Sequence, residues 1–372
     1  MYLWAARSVD PATFGQVVAA IALGTVGAGF IDFGSNALWV REVASGRLSE
    51  AALGERSVGK VAVAFALSLL WAAITVVVIG SEFLWVAAPI ALSLVINQVS
   101  QVPLRGAALG ERVGLSVLTD RTVAIVTFTA LCLLGFEPVA VLWLCLALGS
   151  LSASVMGRLM TPQQFRPKVR WRRTNPWRES TFYGVSGLAT SAQSLDLPIL
   201  AAVGGGVPAG IYGSVSRWTQ PMGLLAAAFS SASAPFVARS SDARAAWVVL
   251  RKGLWLPATA IVLAIAIFVL APWLVDFLLG NGYAEASGVL QILAMVSIAS
   301  ILSQPLLVGM QSLGRDRFVA IVFGSTVVVQ LSAVLVLAVP YGALGAAWAS
   351  FGAQVILLVA LLAGAIGEFN RR

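Results

Sequence analysis

The stretch RLMTPQQFRPKVRWRRTNPWR, Arg158 to Arg178, carries seven Lys or Arg and no acid, and it separates apolar runs at 138–157 and 180–203. A basic gap of this kind marks a membrane protein whose short loops fix its orientation, because Lys and Arg beside spans are held on the cytoplasmic side. Working outward, further apolar runs fall near 12–39, 61–80, 83–104 and 114–136, then near 207–234, 253–275, 286–311, 317–339 and 342–367. Each approaches the ~20 residues that cross about 30 Å of hydrocarbon as a helix. Helix is also the form that satisfies backbone polar groups within the segment.

The charges alternate between gaps. The gap after the first run holds Arg41, Arg47, Arg56 and Lys60; later alternate gaps hold Arg105 and Arg112, then Arg239, Arg244, Arg251 and Lys252, then Arg315 and Arg317. The gaps between them contain Glu82, Glu137, Asp276 and Glu285 but no Lys or Arg. The basic gaps and the tail with Arg371 and Arg372 are therefore expected in the cytoplasm of an inner-membrane protein. Residues 1–6, MYLWAA, read as the tail of another helix, which would complete a pattern of twelve spans with both ends inside.

Composition excludes several function classes. Of 372 residues, 59% are hydrophobic and 11% charged, against about one quarter charged in soluble domains. The net charge of +8 sits in short loops beside spans, where it sets topology or meets anionic lipid rather than nucleic acid. Cys132 and Cys145 both lie in apolar runs and the chain has no His, so the usual zinc and iron ligand sets are missing. No metal or other cofactor is expected. No Gly-rich phosphate loop or Ser/His/Asp set is present, and the outer gaps are short, so an enzyme is not expected.

A parallel repeat is visible across the central gap. Phe14 and Gly15 recur as Tyr212 and Gly213, and the same offset carries Arg41 onto Arg239. Leu109, Gly110, Glu111 and Arg112 recur as Leu313, Gly314, Arg315 and Asp316. The expected fold is all-α and polytopic, with two pseudo-symmetric lobes: 1–160, a basic cytoplasmic linker at 161–179, and 180–372.

Four segments carry a family likeness. ARSVDPATFGQ (Ala6–Gln16), DFGSNALWVREVA (Asp32–Ala44), LDLPILAAVGGGVPAGIYGSVSRW (Leu195–Trp218) and FLLGNGYAEASGVLQILA (Phe277–Ala294) occur in this order. Together they resemble the polysaccharide, or O-antigen, flippases within the multidrug/oligosaccharidyl-lipid/polysaccharide exporter superfamily. The resemblance implies a bacterial cytoplasmic-membrane flippase. Its cargo would be undecaprenyl-diphosphate-linked oligosaccharide for surface polysaccharide assembly, moved by alternating access. It also implies membrane lipids as surroundings, with a polysaccharide polymerase and glycosyltransferases as partners. An ion-coupled small-molecule or multidrug antiporter of the same fold is the alternative.

Several polar residues inside apolar runs are candidates for cargo contact. Arg217 lies about ten residues into its run, where a charge facing lipid is costly. A guanidinium suits a diphosphate, and an ion pair with Asp196 is the structural alternative. Arg121, beside Asp120, either lines a cavity or extends its charged end to the cytoplasmic surface. Asn97, Gln98 and Gln101 are neighbours in one run, with Gln98 and Gln101 on one side at spacing three; they either meet sugar hydroxyls or join helices by hydrogen bonds. Asp32, before Gly34, is expected to cap or bend the helix exit. The stretch GTVGAG, Gly24–Gly29, is expected to permit close helix packing, and Trp85, Trp143, Trp255 and Trp273 to anchor span ends.

Overall fold

The computed structural model describes residues 1–168, 174–219, 221–223, 225, 229, 253–312 and 315–369. Arg170, Arg172, Arg173, Gln220, Arg239, Arg244, Arg251, Lys252, Leu313, Gly314, Arg371 and Arg372 lie outside the described residues, as does the far end of the 207–234 run. The described residues form helices α1 (Tyr2–Ser8), α2 (Pro11–Asp32), α3 (Ser35–Ala44), α4 (Glu50–Ala73) and α5 (Ala87–Gly106). They continue as α6 (Gly110–Leu133), α7 (Pro138–Met160), α8 (Thr181–Gln193), α9 (Asp196–Gly204) and α10 (Gly206–Ser216). The last are α11 (Trp255–Leu278), α12 (Ala286–Ser312) and α13 (Asp316–Phe369).

Local chemistry sets the ends of these helices. Asp10 caps α2, its Oδ1 accepting from Ala12 N at 2.9 Å and Thr13 N at 3.1 Å while Oδ2 accepts from Thr13 Oγ1 at 2.7 Å. This exposed carboxylate is held below the ordinary aspartate range, first by the Thr13 hydroxyl. Helix α2 stops where Phe33 (φ 43) and Gly34 (φ 67) turn left-handed, and the chain resumes as α3. Ser49 starts α4 by accepting from Ala52 N at 3.3 Å. A π-helical turn at Ile74–Ile79 and Gly80 (φ 66) close it. Helix α13 is two helices joined at Gly342 (φ 53, ψ −130), two residues after Pro340, which matches the separate runs at 317–339 and 342–367. The run at 180–203 is likewise broken, into α8 and α9.

Among the described residues, eight helical stretches are long and apolar enough to cross a bilayer, counting the bent α13 once. Their outward faces carry large apolar side chains, such as Val77 at 80% exposed, while alanines including Ala28, Ala64, Ala124 and Ala153 are buried. That inverts the arrangement suited to water: small residues let helices approach, and bulky ones meet lipid. This is a multi-pass membrane protein.

The chain forms two compact units. Unit 1 comprises Met1–Val9 and Gln16–Pro198, and unit 2 comprises Asp10–Gly15 and Ile199–Arg372. In unit 1, Trp39, Leu53, Ala64, Val95 and Val102 form one buried apolar cluster. The small residues of GTVGAG pack tightly there: a Cβ on Gly24 would lie 2.6 Å from the Ala87 carbonyl oxygen, and one on Gly29 would collide with Ser191. In unit 2, Gly15 packs on the start of α10, where an added Cβ would collide with the Gly206 carbonyl oxygen and the Gly210 backbone nitrogen. A Cβ on Gly210 would in turn collide with the Pro11 carbonyl oxygen. Phe14 meets the ring of Tyr283 edge-on at 6.5 Å.

Candidate functional site

Unit 1 encloses a charged centre at the α2–α3 break. The Lys60 ammonium, from the second half of the first three turns of α4, is 0% exposed and donates to Asp32 Oδ1, to Ser35 Oγ at 2.8 Å and to Asn36 Oδ1 at 2.9 Å. All three of its N–H groups are thereby used. The ammonium also lies 4.9 Å from the ring centroid of Trp39, a cation–π distance. Asp32 Oδ1 accepts from the Asn36 backbone N–H at 3.1 Å and the Ser35 hydroxyl at 3.2 Å, so it caps α3 and bends the helix exit. The break is closed from elsewhere in the unit as well: Trp177 Nε1 donates to the Ile31 carbonyl at 2.8 Å, and Gly184 leaves room for the Phe33 ring.

Sequence reading missed Lys60, grouping it with the loop arginines because the apolar run starts at Val61. The available signal was the helix start: Ser49 followed by Glu50 puts Lys60 well inside α4, opposite the acceptor-rich DFGSN at Asp32–Asn36.

The structure brings Asn97 and Gln101 together and places Gln98 apart from them. Along α5, Gln101 Nε2 donates to Asn97 Oδ1 at 3.0 Å and Arg105 donates to Gln101 Oε1 at 2.7 Å. Asn97 and Gln101 are buried, whereas Gln98 is half-buried. Asp120 is buried where α6 meets α7, its backbone and side chain close to Gly149. Its Oδ1 has no hydrogen-bond partner among the described residues. Its Oδ2 is 3.8 Å from Arg121, whose side chain is 62% exposed.

Arg217 is half-buried at the end of α10 and opens a 3-10 turn, Arg217–Thr219. It stands eleven residues after Gly206, or about 16 Å along the helix. Asp196 is the first residue of α9 and its Oδ1 accepts from Leu197 N at 2.7 Å. It belongs to unit 1 and Arg217 to unit 2. Unit 2 also holds a buried polar chain: Gln330 Nε2 donates to Ser350 Oγ at 3.3 Å, and Ser350 Oγ lies 3.5 Å from the Tyr212 hydroxyl. Among the described residues, no group of three or more Cys, Asp or Glu is placed to hold a metal ion.

No protein-family model and no curated protein matches the chain. Solved structures do match. A multidrug resistance MATE family transporter of the MOP superfamily, inward-facing, is 16% identical with a TM-score of 0.72, over 100% of this chain and 92% of that one. The lipid II flippase MurJ, in an inward closed conformation, is 14% identical with a TM-score of 0.74, over 98% and 84%. A MOP superfamily transporter from Pyrococcus furiosus is 16% identical with a TM-score of 0.56, over 99% and 97%. At these identities the likeness is one of fold: the chain shares a polytopic helical fold with these transporters.

Proposed function

We propose that this chain is a flippase that carries a polyprenyl-diphosphate-linked oligosaccharide across the bacterial cytoplasmic membrane by alternating access. The observation that carries the reading is the full-length fold likeness to a flippase whose named cargo, lipid II, is itself lipid-linked. The order of the four family-like segments narrows it toward oligosaccharide carriers. In this reading the lobes are 1–160 and 180–372, joined by a basic cytoplasmic linker, and the C-terminus is cytoplasmic.

The chemistry of the cargo explains the polar residues. A sugar headgroup and diphosphate cannot enter hydrocarbon without large desolvation cost, so the lobes must supply a hydrated, partly cationic path while the lipid tail stays in the bilayer. Arg217 is the diphosphate contact, with two parallel N–H donors available for phosphate oxygens. Asp196, the first residue of α9, takes part in cargo contact. Gln98, with its half-buried side chain, and the Asn97–Gln101 pair meet sugar hydroxyls, and Arg121 adds positive potential. A polysaccharide polymerase and glycosyltransferases would act after and before transfer.

The multidrug likeness favours a second reading, small-molecule antiport on the same fold. One experiment separates them: locating polyprenyl-linked oligosaccharide by leaflet in a flippase-deficient host that expresses the chain or its Arg217→Ala variant. Outward movement with the parent, lost with Arg217→Ala, is the expected result. Cargo retained inside by a well-folded parent would remove the flippase reading and leave antiport.

A further inference from the structure

A cavity of about 620 Å³ lies between α4, α5 and α7 of unit 1. Val61 and Phe65 of α4, Leu92 and Ile96 of α5 and Val155 of α7 form its apolar walls. Phe65 is 52% exposed and Val155 59%, so the cavity opens on an apolar, exposed face of these helices, the kind that suits hydrocarbon.

Its other end is polar. Arg158, in the last turn of α7, and Ser57 of α4 line it there. Among the described residues, no acidic side chain lines it. The Ser57 hydroxyl is buried without a hydrogen-bond partner. Arg158 is exposed and makes no hydrogen bond or ion pair with the described residues. Among the described residues its basic neighbours are engaged: Arg166 donates to the Thr161 carbonyl at 3.3 Å, and Lys168 pairs with Glu50 at 3.3 Å. From Gly54 to Phe65 the cavity follows eleven residues of α4, about 16 Å, close to the ~15 Å hydrocarbon depth of one leaflet.

We propose that this cavity is a binding site for an anionic phospholipid of the surrounding bilayer. One acyl chain lies between α4, α5 and α7, and the phosphate accepts from the Arg158 guanidinium. Charge selects the occupant: a guanidinium at a cavity whose described lining holds no acidic side chain favours a headgroup of net negative charge over a zwitterionic one. An apolar slot one leaflet deep requires a hydrocarbon chain. The inference is independent of the cargo, since it rests on residues of unit 1 other than those proposed to contact it.

The test is native mass spectrometry of the purified, delipidated full chain given phosphatidylglycerol or phosphatidylethanolamine. One phosphatidylglycerol per chain should be retained in preference. Arg158→Ala should lower that preference about fivefold, the worth of one basic residue near a lipid surface. Ala62→Trp, which fills the slot from a half-exposed position, should abolish retention, and Arg317→Ala in unit 2 should leave it unchanged. Equal retention of the two lipids, or retention indifferent to both Arg158→Ala and Ala62→Trp, would overturn the site. Displacement of phosphatidylglycerol by an equal amount of decaprenyl phosphate would assign the slot to a polyprenyl tail and overturn the phospholipid assignment.

Discussion

Trp177 donates its indole N–H to the carbonyl oxygen of Ile31 at 2.8 Å, joining residues 146 positions apart. Ile31 lies in the last turn of α2, where helix carbonyls lack partners inside the helix. The basic central segment thus does more than carry charge: it satisfies the broken end of the first long helix. Trp177→Phe keeps the ring and removes the donor. It should cost about 1 kcal/mol and speed hydrogen exchange at the amides of residues 33–36, while exchange in α6 stays unchanged.

Removing the ammonium at the same break has a larger effect. Lys60→Met strands Asp32 beside an apolar cluster and should cost about 3 kcal/mol, whereas Lys60→Met combined with Asp32→Asn should recover most of that. Thermal unfolding of detergent-purified variants, followed by loss of the monodisperse peak, measures both. A double variant as unstable as the single one would mean that packing around the Lys60 stem, not its charge, is what matters.

Two glycines in helices separate packing from propensity. Gly210→Ala drives a methyl group into the Pro11 carbonyl oxygen, and backbone cannot yield as a side chain does. Severe loss of folded protein is expected. Gly114→Ala, in α6 with nothing within 4 Å of the new Cβ, should stabilise by up to about 1 kcal/mol through helix propensity. The yield of folded protein in membranes distinguishes the two.

Tyr283, in the 3-10 turn before α12, has its phenol pushed up to about 12, chiefly by burial and then by the Asp10 carboxylate. The native state keeps this proton where the unfolded chain, titrating near 10, gives it up. Its contribution to stability is therefore complete below about pH 10 and lost as pH rises toward about 12. Tyr283→Phe should flatten the fall in thermal midpoint across that window relative to the parent.

The sequence revealed the spans, because uninterrupted apolar runs and alternating basic gaps are properties of composition along the chain. The bend at Asp32 was also legible, since Asp before Gly is a cap and a turn at once. Lys60 was not. A charge at the edge of an apolar run looks like loop, and only the acceptors gathered from Asp32, Ser35 and Asn36 make its burial tolerable. The junction of α8 and α9 was hidden for the opposite reason: Ser194 and Leu195 interrupt a helix without interrupting its hydropathy. Spacing three set Gln98 beside Gln101, whereas Gln101 bonds to Asn97 one turn back and to Arg105 one turn on, a choice that depends on rotamers no spacing specifies.

The packing of Gly15 on Gly206 and Gly210 has a consequence for biosynthesis. Roughly 190 residues separate these partners in the chain, so at ribosomal speed residues 10–15 wait about 10–40 s before the surface they complete has been made. During that interval the opening of α2 is a half-built interface held in the lipid. A chaperone or insertase that shields this stretch would govern the yield of the finished protein, and a stretch made long before its partners would be among the last to reach its final place.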